Sequence, residues 1–168
     1  MAERRGGGFS AAQRRAIITR ATSATVRAKV RGTAWISYTK LQYDAATKIF
    51  TVGAVLVCSC EKTMRWPAVV RIARMSSRLG HLRALGSDNG LSDIGAAWVF
   101  DGPAKSLPDG TAASSLQKLR GWYSHVLSRQ RILRFQIDSP VPQGLREYDA
   151  SPLFTVRFNV LEDPLGSY

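Results

Sequence analysis

Cysteine and histidine are almost missing from this sequence, with two of each in 168 residues. A structural zinc site needs a full tetrahedral set of such ligands. Cys58 and Cys60 stand one residue apart in VLVCSCEK, far from His81 and His125, which are isolated from each other. The pair reads as core residues on one side of a strand, so no metal or other cofactor is expected, and nothing points to an oxidising compartment. Long apolar runs are lacking too. The longest, residues 49–60, is too short for a spanning helix and reads as a buried strand. The basic N-terminus leads into glycines and AIITRA with no apolar h-region, so a cytosolic chain without a membrane partner is expected. Acid is the third shortage. Twelve Asp and Glu face 24 Lys and Arg, a net charge of +12 and a pI near 10.5, which makes a polyanion the expected partner.

A convergent reactive site is also missing. The GGG of residues 6–8 is not followed by the Gly-Lys-Ser/Thr of a phosphate-binding loop and reads as a flexible spacer. His125, close after Trp122 and Tyr123, suits a core or an interface, and His81 in SSRLGHLRALG suits a basic loop. Asp88, Asn89, Gly90 and Asp93 in SDNGLSD lack calcium-loop spacing and predict a tight turn. Asp101, Asp109 and Asp138 follow strands or occupy Pro/Gly turns, where Asp is common. The expectation is a protein that is not an enzyme and takes no small-molecule substrate.

What is abundant is base, and it is concentrated. Arg4, Arg5, Arg14, Arg15, Arg20, Arg27, Lys29 and Arg31 stand against the single acid Glu3 in the first 32 residues, whereas the remainder carries 16 bases and 11 acids. Residues 1–31 are therefore expected to be a basic, nucleic-acid-binding arm and residues 32–168 the folded body. Ser10 and Gln13 form a capping box that would start a helix at Ala11. Its arginines surround the axis and only Ile17 and Ile18 give an apolar strip, so a disordered arm that becomes helical on phosphate neutralisation is expected. On single-stranded RNA eight such charges would release roughly five or six counterions, at about 0.7 per phosphate.

From Thr33 the texture is all-β. Short Val-, Ile-, Thr- and aromatic-rich segments are separated by Gly, Pro, Asp and Asn. LFTVRFNVL alternates Phe154, Val156, Phe158 and Val160 with Thr155, Arg157 and Asn159. ILRFQID sets Leu133, Phe135 and Ile137 on one face, and KIFTVGAVLVCSC does the same with Phe50, Val52, Ala54, Leu56, Cys58 and Cys60. WISYTKLQYD, AVVRIARMS and IGAAWVFDG add strands, the first joined to KIFTVG by a DAAT turn. SLQKLRGWYSHVL has helical spacing at Leu116, Leu119, Trp122, Tyr123 and Val126 and predicts one helical insertion. The pattern predicts a sandwich or barrel of antiparallel strands with long connections.

SAAQRRAIITRA resembles the arginine-rich motif of the coat proteins of small icosahedral plant RNA viruses, most closely the bromovirus type. The body segments WISYTK, KIFTVGAVL, CEKTMRWPAVVRIARM, IGAAWVFDG, SLQKLRGWYSHVL, ILRFQIDS and FTVRFNVLEDP follow in a similar order. The resemblance implies a jelly-roll β-sandwich that self-assembles into an icosahedral shell, with the arm inside on single-stranded genomic RNA. It implies residence in the virion and the host cytoplasm. Trp66, Trp122 and Tyr123 are candidate subunit contacts, although core packing explains them equally well. The alternative is a non-capsid RNA-binding module, such as a ribosome-associated protein or a silencing suppressor, that uses the same arm; no RNP-like strand or KH glycine loop supports it.

Overall fold

The computed structural model describes residues 8–22, 33–59, 66–104, 125–139 and 154–162. Strands β1 (Thr33–Asp44) and β2 (Ile49–Ser59) form an antiparallel hairpin in register from Thr33↔Ser59 to Asp44↔Ile49, with a bulge between Tyr38 and Lys40. The expected DAAT turn closes it. The Asp44 carboxylate accepts the Ala46 amide at 3.0 Å and the Thr47 hydroxyl at 2.8 Å, an Asx-type turn.

The free side of β2 pairs with β6 (His125–Leu127) and then with β7 (Arg131–Ile137), so these two behave as one interrupted strand. Ser128 spans the interruption. Its amide donates to Leu56 O, and its hydroxyl accepts the Leu56 amide at 2.8 Å, replacing a ladder bond in a buried place. Strand β4 (Leu82–Leu85) completes this sheet beyond β7. The helix predicted over SLQKLRGWYSHVL thus ends differently: His125–Leu127 is strand because β2 offers an unpaired edge at Val57–Ser59, and the earlier residues of that segment lie outside the described ones.

A second sheet has the order β5 (Ala97–Phe100), β3 (Ala68–Ser77), β8 (Phe154–Glu162), all antiparallel. The protein is therefore an all-β sandwich of two antiparallel sheets with one helix among the described residues. Alternation of side chains fills the space between the sheets. Phe50, Ala54, Leu56, Leu133, Phe135 and Ile137 from one sheet meet Ala68, Val70, Ile72, Trp98 and Phe100 from the other, with Phe154, Val156, Phe158 and Val160 packed against them. Trp98 meets the Phe135 and Phe158 rings edge-on, at 6.2 and 6.4 Å. Trp66 also packs against this core. A Cβ on Gly102 would come within 2.9 Å of its indole, so only glycine lets the turn after β5 close over it.

Helix α1 (Ala11–Thr22) starts where the capping box places it. Ser10 N donates to Gln13 Oε1 at 2.8 Å and Gln13 N to Ser10 Oγ at 3.2 Å. The expectation of disorder fails for this stretch. Ile17, Ile18 and Ala21 are buried on Val69, Ala97, Val99 and Leu161, the outward positions of the second sheet, with Phe9 at the rim. A 12-residue helix is marginal alone. Burying two isoleucines contributes about 3–6 kcal/mol, enough to hold it on the sheet.

Candidate nucleic-acid interface

Three of the eight expected arm residues fall in α1, and Arg4, Arg5, Arg27, Lys29 and Arg31 lie outside the described residues. Arg15 is exposed, while Arg14 and Arg20 are partly buried. Arg14 shares the helix face of Ile18 and Ala21, which turns it towards the body. Its Nη1 stands 3.7 Å from Asp88 Oδ1. Asp88 lies in the predicted tight turn, closed by Gly90 N donating to Ser87 O at 3.2 Å with Gly90 at φ 76°. Its side chain is only 6% exposed. Both carboxylate oxygens accept from Arg131, the Nη2–Oδ1 contact at 3.2 Å, and Oδ2 also accepts the Val99 amide at 2.7 Å. Arg131 Nη1 donates further to Val99 O at 2.8 Å. One carboxylate thus joins the turn, β5, β7 and, through Arg14, the helix.

The half of the outer face of β3 and β8 that α1 leaves open carries Arg71, Arg74, Ser76, Thr155, Arg157 and Asn159. Across the two strands Arg71 faces Asn159, Arg74 faces Arg157 and Ser76 faces Thr155. A bulge at Ala73 sets this arrangement: the register shifts between Ile72 and Arg74, so Ile72 and Met75 point into the core while Arg74 joins Arg71 outside. Arg74 and Arg157 are exposed and Arg71 is partly so. Gly95, at φ 94°, brings the loop before β5 beside Arg71, whose Nη2 lies 3.7 Å from where a Cβ would stand. None of the three arginines enters an ion pair among the described residues. Like charges directly opposite each other destabilise a sheet, by roughly 0.2–1 kcal/mol per pair.

No protein family, curated protein or solved structure matches this chain. Its role is therefore read from charge and shape. Sequence reading placed Arg157 on the solvent face of its strand but did not join it to Arg71 and Arg74. The usable signal was VRIAR and TVRFN, two strands whose outward positions hold arginine and no acid.

Elsewhere, an open apolar groove of about 420 Å³ is lined by Tyr38, Leu41, Val52, Phe135, Phe154, Thr155 and Val156, with Tyr38 59% and Leu41 65% exposed. Among the described residues no cluster of three or more His, Cys, Asp or Glu is placed to hold a metal, and no helix is long and apolar enough to cross a membrane.

Proposed function

We propose that the chain is a capsid protein that self-assembles into an icosahedral shell and packages single-stranded RNA through its basic N-terminal segment. The observation that carries this reading is a basic helix seated on one face of a β-sandwich, beside Arg71, Arg74 and Arg157 on the same face. The segment holding Arg14, Arg15 and Arg20 is docked, as α1, on the outer face of the three-stranded sheet. Phosphate neutralisation by such a segment is independent of base sequence and weak per copy. Many copies fixed on one shell engage the same RNA, so a high effective concentration stabilises packaging, and RNA offsets repulsion between the copies.

Self-association is supported by β1, which among the described residues is a 12-residue edge strand and whose exposed Tyr38 and Leu41 border the apolar groove. The finer fold belongs with this reading. Among the described residues each strand after the β1–β2 hairpin, with β6 and β7 counted as one, lies in the sheet opposite its predecessor, and this crossing between two packed antiparallel sheets supports the jelly roll that the resemblance implies.

Size-exclusion chromatography of the full-length protein with light scattering and absorbance at 260 and 280 nm tests the proposal. A monodisperse particle in the megadalton range with nucleic-acid absorbance is expected. A monomer or dimer that stays small after stoichiometric RNA is added would instead support the non-capsid RNA-binding module.

A further inference from the structure

We infer that the arginine face of the body, Arg71, Arg74 and Arg157 on β3 and β8, is a second binding surface for the phosphate backbone of single-stranded RNA, continuous with helix α1. This rests on the RNA-packaging reading above but assigns part of the binding to folded strands, outside the N-terminal segment. Four observations converge on it.

First, the Ala73 bulge turns Arg74 outward; uninterrupted alternation from Arg71 would have sent it into the core. Second, Arg74 and Arg157 are placed directly opposite each other, an arrangement that costs stability unless an anion sits between or above them. Third, the neighbouring outward residues are Ser76, Thr155 and Asn159, short polar side chains that donate to phosphate and leave room for it, and no carboxylate occupies the described outward positions of these two strands. Fourth, α1 covers the adjoining half of the same face and exposes Arg15.

The spacing suits a flexible polyphosphate. Outward residues on one strand repeat every roughly 6.5–7 Å and partners across strands stand about 5 Å apart, the order of the separation between successive phosphates. Arginine offers each phosphate a planar fork of donors. The surface presents no aromatic side chain among these residues, so it would grip backbone without stacking bases and would not select sequence.

The test uses the full-length protein and a fluorescent oligouridylate, with affinity measured over a series of salt concentrations. Four proteins are compared: wild type, an Arg74→Thr/Arg157→Thr variant, an Arg74→Lys/Arg157→Lys variant, and an Arg4→Ala/Arg5→Ala/Arg15→Ala variant of the N-terminal segment. Threonine retains strand propensity, and relief of the like-charge pair should leave the urea midpoint equal or higher, which reports that the sheet is intact. The sheet variant is expected to lower the slope of log affinity against log salt by about 0.7 for each phosphate no longer neutralised, hence by more than about 1 for two arginines, and Arg74→Lys/Arg157→Lys to keep most of it. An unchanged slope in the sheet variant, with a reduced slope in the N-terminal variant, overturns this inference and leaves RNA binding by the segment standing. Absence of RNA binding by the wild-type protein overturns both. Binding of wild type to phosphatidylserine-containing vesicles in preference to RNA, abolished in the sheet variant, also overturns it and makes the face a membrane surface.

Discussion

Asp88 is the residue whose chemistry reaches furthest through this protein. Its buried carboxylate accepts Arg131 through both oxygens and the Val99 amide, and it stands 3.7 Å from the Arg14 guanidinium. Asp88→Asn keeps an acceptor for Val99 but leaves Arg131 charged and unpaired in a site where it is 19% exposed. Breaking a buried pair in this way costs about 3–5 kcal/mol, read as a lower urea midpoint. Replacing both partners, as Asp88→Leu/Arg131→Met, removes the unpaired Arg131 charge and should recover part of that loss, the Val99 amide and carbonyl then lacking their partners. The Arg14 contact is one-third exposed and adds less than about 1 kcal/mol. A second carboxylate predicts a pH effect. The Thr47 hydroxyl, and then the Ala46 amide, hold Asp44 below its ordinary pKa of 3.8. Because the folded value is depressed, its stabilisation is complete well above pH 3.8, declines as pH falls past that value and vanishes below the folded pKa. Thr47→Val should therefore lower Tm at neutral pH, and the gap from wild type should close on acidification through this range. A gap that widened in acid would contradict the sign.

At the scale of elements, α1 shows what sequence could and could not reveal. Its start was legible because a capping box is a local signal, and both of its hydrogen bonds are present. Its fate was not legible. The strip of Ile17, Ile18 and Ala21 is narrow, and its partners Val69, Ala97, Val99 and Leu161 are contributed by three strands distant in sequence. Those residues themselves looked like ordinary members of buried strands. The half-buried strands were readable for the opposite reason: alternation in ILRFQID and FTVRFNVL is written within each segment and the observed burial follows it. His125–Leu127 escaped because strand identity there comes from the edge of β2 and not from its own spacing. The arginine face was half legible, since Arg157 was outward by alternation while Arg74 depended on a bulge. Ile17→Ala tests the docking of α1. Ile17 is fully buried, so truncation should cost about 2–4 kcal/mol of helix docking. Hydrogen exchange should report it as faster exchange at amides of residues 15–22 and unchanged protection in β7. Equal loss of protection in both would mean that helix and sandwich unfold as one unit.

For the whole molecule, the docked helix makes the protein three layers deep, helix on sheet on sheet, with two apolar interfaces sharing the β5-β3-β8 sheet. This changes how the basic segment can be tested. Removing residues 1–22 deletes charge, but it also uncovers Val69, Ala97, Val99 and Leu161, all nearly inaccessible in the intact chain. The truncated protein should bind a hydrophobic dye and have a lower Tm, and it should self-associate through the uncovered sheet whether or not RNA is present. Failure of that variant to form shells would thus report a damaged body as readily as weakened RNA binding. Charge-neutralising substitutions at Arg4, Arg5 and Arg15, which leave Ile17, Ile18, Ala21 and the Arg14–Asp88 contact in place, separate the two effects. They should leave Tm and dye binding unchanged while lowering the salt dependence of RNA binding. If instead the 1–22 truncation kept wild-type Tm and bound no dye, the helix would contribute nothing to the fold, and the basic segment would act as the free arm that its charge alone suggests.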